Sequence, residues 1–183
     1  MKQFIWLFIG ISFLLLIGSS IYKQIQKEST SARALRIECQ KKLTAFERVY
    51  IQDSIKTAQK NIEEGNYILS SSIKKAVYAK SKLFDFVHLT DMDKVTINTL
   101  ASYIKQKKTS DKKLKISYYI YENDVEDPGK KTQKSKLYAG YVVYKFSNSK
   151  DVLLYQVQID FMDKKGIDLP KSIACAIKSF MTL

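Results

Sequence analysis

The chain has 183 residues and a net charge of +13, and its basic surface is almost entirely lysine, with arginine only at Arg33, Arg36 and Arg48. Base and phosphate recognition leans on the bidentate arginine fork, so a lysine-dominated surface fits solvation better than sequence-specific nucleic-acid reading, and non-specific attraction to anionic headgroups or polymers stays physically allowed. The two cysteines, Cys39 and Cys175, form no CxxC and no zinc spacing, so they are either two buried thiols or one long-range disulfide.

The first element is an uncharged run, Phe4–Ile21. As a helix it reaches about 27 Å, the thickness of a bilayer core. Two readings stand side by side: an uncleaved single-pass anchor over 1–22, or a signal peptide cut near Gly18-Ser19-Ser20. The run exceeds an ordinary signal core, which favours the anchor. Lys23, Lys27, Arg33 and Arg36 follow it, so the positive-inside rule places the remainder in the cytoplasm. Long domains translocate despite such flanks, and a short leader with Lys2 resembles an export signal. The expectation is a bacterial inner-membrane protein with an extracytoplasmic C-terminal domain.

Residues 23–66 predict a helical stem that ends at Gly65-Asn66, a helix-stop signal. Leu35, Cys39, Leu43, Phe46 and Tyr50 form one stripe, and Ile51, Ile55, Ala58 and Ile62 form another, rotated roughly 140° from it. Two stripes suit a stem that pairs with a partner, including a second copy, and then packs on its own domain.

Residues 67–183 predict a small α+β domain. Ser70-Ser71-Ser72 offers caps for a helix reaching Val87, with Ile73, Val77, Phe84 and Val87 inward. Thr90-Asp91-Met92-Asp93 has capping-box form and opens another helix, with Ile97, Ala101 and Ile104 inward. After the basic linker 105–113 the period becomes two. Strands are predicted over 114–121, 137–147 and 152–162, the last two joined by a tight turn. Asp168 and Pro170 open a final helix lined by Ile173, Ile177 and Phe180. The predicted fold is a transmembrane helix, a helical stem, and helices packed on a three-stranded antiparallel meander with a C-terminal helix.

Chemical signatures are sparse. His88 is the only histidine, at a predicted helix end. Ser71-x-x-Lys74 and Ser72-x-x-Lys75 match the Ser-x-x-Lys spacing of penicillin-binding enzymes, without that family's Ser-Asp-Asn and Lys-Thr-Gly partners. Asp124, Glu126 and Asp127 are oxygen ligands without an EF-hand spacing. No catalytic, cofactor or metal site is expected, and no enzyme.

Seven of the twelve tyrosines lie in the strand region, on both faces of the sheet. Those beside Lys115 and Lys145 would form a contact surface. The expected interaction residues are Leu43, Phe46, Tyr50 and Ile55 on the stem, and Tyr119, Tyr121, Tyr144, Lys115 and Lys145 on the sheet. Together these features predict a membrane-anchored, non-catalytic assembly subunit of an envelope complex. The alternative is a tethered sensor or carrier for a small molecule, lipid or glycan.

Overall fold

A computed structural model describes residues 36–183. In chain order its strands and α-helices are β1 (Ala45–Val49), α1 (Ile55–Glu63), β2 (Tyr67–Lys74), α2 (Leu89–Ala101), β3 (Leu114–Glu122), β4 (Gly140–Ser147), β5 (Leu153–Phe161) and α3 (Leu169–Met181). The strands form one five-stranded mixed sheet in the order β1-β5-β4-β3-β2. Only β2 and β3 run parallel, joined by a crossover through α2.

Alternation builds the sheet. In β3, Leu114, Ile116, Tyr118 and Ile120 are buried while Lys115, Ser117, Tyr119 and Tyr121 are half-buried. The helices pack on the first set. Phe180 of α3 stacks on Phe146 at 3.9 Å, and Tyr118 stacks on Tyr144 at 4.9 Å. Ile55, Ala58 and Ile62 recur at helical spacing and bury one side of α1. The opposite face of the sheet faces away from all three helices.

Several expectations need correction. The fold is a five-stranded mixed sheet, not a three-stranded meander; the meander is β3-β4-β5, with a further strand on each flank. Over the described part of the expected helical stem, the chain instead makes a short 3-10 turn at Glu38–Lys42, then β1, then α1. In β1, Ala45, Glu47 and Val49 turn inward while Phe46 and Arg48 are exposed, a period of two. The helix expected after Ser70 is β2 followed by a loop, because Ser70, Ser71 and Ser72 pair along β3 opposite Ser117, Tyr118 and Tyr119. In α2 the inward residues are Thr96 and Leu100, whereas Ile97 is 46% exposed. A hydroxyl partner decides that rotation: Thr96 Oγ1 lies 2.5 Å from the buried Tyr144 hydroxyl.

The expected membrane location and single-pass topology are also corrected. Among the described residues no helix is long and apolar enough to cross a membrane. The run 4–21 that carried the expectation lies outside the described residues.

Cys39 and Cys175 form a disulfide that fastens the segment before β1 to α3. Beside it, Arg36 makes a two-pronged ion pair with Glu47 at 3.0 Å. The Glu47 carboxylate also accepts from the Tyr155 hydroxyl at 2.5 Å and from Gln40 Nε2 at 3.2 Å.

Gly140 sits where β4 enters between Glu122 of β3 and Phe161 of β5. A Cβ there would fall 2.2 Å from the Tyr121 carbonyl oxygen and 2.5 Å from Phe161 Cζ. The carbonyl cannot move without disturbing the sheet, so Gly140→Ala is expected to destabilise by about 2–3 kcal/mol. A urea midpoint equal to the native one would contradict this.

Candidate functional site

The sheet face that no described helix covers is the candidate site. Strand register places its side chains in rows. One row runs Ser72, Tyr119, Val143, Gln158 and Phe46; the next runs Lys74, Tyr121, Tyr141 and Asp160. Lys145 and Lys115 follow toward the other end, with Lys115 paired to Asp151 at 2.7 Å.

Four tyrosines form a connected group on this face. Tyr121 and Tyr141 stack at 4.5 Å, Tyr119 meets Tyr141 edge-on at 6.3 Å, and Tyr138 lies 6.4 Å from Tyr141. Lysines cover the ring faces. Lys74 Nζ lies 4.2 Å above Tyr119, and Lys130 Nζ lies 5.5 Å from Tyr121 and 5.7 Å from Tyr138. Partial burial raises the pKa of Tyr119, Tyr121, Tyr138 and Tyr141, so all four stay protonated hydroxyl donors at neutral pH. Burial lowers the Lys130 pKa, against the opposing pull of Asp127 and Asp124. The face thus offers apolar rings, hydroxyl donors and ammonium groups together.

Carboxylates at the end of β3 shape the rim. Asp124, 3% exposed, accepts the backbone N–H groups of Val77 and Tyr78 on one oxygen, at 2.6 and 2.7 Å, and that of Ala79 on the other at 3.0 Å. Glu122 accepts those of Lys82 and Leu83 at 2.8 Å and of Ala76 at 3.2 Å. Burial works to raise both pKa values, but these N–H groups outweigh it and hold both carboxyls below their ordinary range. The clamp fixes loop 75–82 with Val77 and Tyr78 outward, 84% and 61% exposed. Asn123, between the two acids, donates to the Ser135 and Tyr138 carbonyls and accepts from Lys130. That accounts for how Tyr138 and Lys130, from the loop between β3 and β4, reach the tyrosine group.

The expected interaction residues divide. Tyr119, Tyr121, Lys115 and Lys145 share the open face, and Phe46 ends one of its rows. Tyr50 lies just beyond β1, half-exposed beneath Arg48, whose guanidinium carbon is 5.0 Å from the ring centre. Ile55 and Tyr144 are buried among the helices. Leu43 is half-buried beside the disulfide.

Tyr138, Tyr141, Lys74 and Lys130 complete the face without standing among the expected residues. Alternation along 140–147 separates Tyr141 and Lys145 from Tyr144, so Tyr141 was assignable. Lys74 and Lys130 had no local signal, because long-range pairing and the Asn123 contact bring them in.

A second feature is an open groove of about 640 Å³ between residues 38–43 and α3. Cys39, Leu43, Ala174 and Cys175 line it, and Lys42, Lys171 and Lys178 flank it. Among the described residues no three His, Cys, Asp or Glu side chains are grouped to hold a metal ion. No family model, no curated protein and no solved structure matches the chain.

Proposed function

We propose that this chain is a non-catalytic docking subunit that receives a partner protein on the open face of its sheet. One observation carries the reading: Tyr119, Tyr121 and Tyr138 gather around Tyr141 on a face turned away from every described helix, with lysines over three of the rings. Tyrosine suits such a surface because it gives contact area with little loss of side-chain freedom and keeps a polar tip for hydrogen bonding. Two buried acids at the rim of the face, Glu122 and Asp124, accept backbone N–H groups, which supports a structural use for them.

The test is site-specific photo-crosslinking of the full chain in its producing cell. A probe at Tyr119 or Lys145 is expected to capture a discrete partner, and one at Ile97 on the exposed side of α2 is not. Replacing Tyr121 and Tyr141 together by Ala should weaken that complex by about 2 kcal/mol or more, the size of an aromatic hot spot. A silent face beside a reactive Ile97 probe would remove the reading, as would turnover of a substrate by the purified chain. The groove beside the disulfide favours a second reading, a carrier for a small molecule, lipid or glycan. A ligand held there would protect groove residues and leave the tyrosine face unchanged.

A further inference from the structure

The two edges of the sheet are built differently. β1 has five residues, two of them charged, Glu47 and Arg48. β2 has eight residues, Tyr-Ile-Leu-Ser-Ser-Ser-Ile-Lys, with its only charge at the last position. It contains no proline, and its register with β3 is unbroken from Tyr67 to Lys74. Sheets ordinarily blunt a free edge with internal charge, proline, a bulge or short length. β2 has none of these, and Ile68, Ser70, Ser72 and Ile73 are exposed along it.

The direction of the backbone follows from one hydrogen bond. The Leu114 N–H donates to the Asn66 carbonyl at 2.9 Å, and Tyr67 stands opposite Leu114. In a parallel ladder that turns Ile68, Ser70 and Ser72 toward β3. Tyr67, Leu69, Ser71 and Ile73 therefore direct their N–H and C=O groups outward, where no described strand pairs with them. Such a row is complementary to another extended backbone.

Charge selects the occupant. A second copy would bring another +13 to the edge, and like net charges repel. Lys74 ends the strand, and Lys75, Lys80 and Lys82 are exposed on the clamped loop beyond it. We propose that the outer edge of β2 takes up an extended acidic segment of a partner protein as a sixth strand. The inference deepens the docking reading by giving the partner a backbone conformation and a charge. Lys74 belongs to both surfaces, but the outward backbone groups of Tyr67, Leu69, Ser71 and Ile73 belong to the edge alone, so the two readings can fail independently.

The test uses the full chain and an end-blocked synthetic peptide of alternating valine and glutamate. Saturable binding that weakens with salt is expected, with slowed hydrogen exchange at the Leu69, Ser71 and Ile73 amides. Ser71→Pro removes an outward N–H without removing a backbone bond to β3, and should weaken binding by about tenfold or more. Replacing Tyr121 and Tyr141 by Ala should leave peptide binding unchanged. The proposal is overturned if the β2 amides gain no protection in the native chain, or if a valine–lysine peptide binds as well. Undiminished binding by folded Ser71→Pro also overturns it, as does a β2-dependent dimer in sedimentation, which would make a second copy the occupant. Should Ser71→Pro fail to fold, Ile73→Pro near the strand end gives the same comparison, and native-chain protection decides alone.

Discussion

Reducing the Cys39–Cys175 bridge is expected to lower the melting temperature by about 10 °C. The linked residues are 136 positions apart, so the bridge closes most of the described domain into one loop. Chain entropy for a loop of that size gives about 4–5 kcal/mol, and engineered cases commonly deliver less. Here the arginine–glutamate pair and Gln40 still hold the same segment after reduction, through bonds from Arg36 and Gln40 to Glu47 and from Gln40 to Ser179. A net loss of about 3–4 kcal/mol is therefore expected, and each kcal/mol shifts a domain of this size by about 2–4 °C. Cys39→Ala with Cys175→Ala should reproduce the loss and make melting insensitive to dithiothreitol. If thiol titration confirms reduction and the native midpoint does not move, the bridge carries no such stability.

The same region shows why the first third of the described chain was hard to read. Cys39, Leu43, Phe46 and Tyr50 do recur at helical spacing, but what holds them is remote: Cys39 binds Cys175, and β1 pairs with β5 more than a hundred residues away. A five-residue strand alternates too few times to outvote that spacing. β2 was obscured by Ser70-Ser71-Ser72, which resembles a helix cap and becomes a strand only through pairing with β3. By contrast, β3, β4, β5 and α3 carry their own signals: long alternation, a tight turn, and Pro170 in the first turn of a helix with a clear apolar stripe. Half of the candidate face was legible for the same reason. Tyr119 and Tyr121 follow from alternation within one strand, whereas the lysines over the rings depend on tertiary placement.

Glu47→Gln is expected to destabilise the domain by about 2–3 kcal/mol at neutral pH and to flatten its acid response. Glu47 collects Arg36, Tyr155 and Gln40 on one carboxylate, and the ion pair is only a quarter to a fifth exposed. Removing one charge leaves the Arg36 guanidinium without its counter-ion, a loss of about 3–5 kcal/mol when fully buried and less at this exposure. Burial works to raise the Glu47 pKa, but bonds from Arg36, Tyr155 and Gln40 outweigh it, so the folded value lies below the unfolded one. A depressed carboxyl adds stability above its unfolded pKa, near 4.3, and loses it as pH falls through the folded value. Glu122 and Asp124 are depressed through backbone N–H groups and lose their contribution in the same direction. Urea midpoints should therefore hold from pH 7 to about 5 and fall steeply below about 4.5, more steeply in the native chain than in Glu47→Gln. Parallel curves for the two proteins would show that Glu47 does not carry the linkage. A fall that appears only on the alkaline side would show that the carboxylates are not what holds residues 36–47 and loop 75–82 in place.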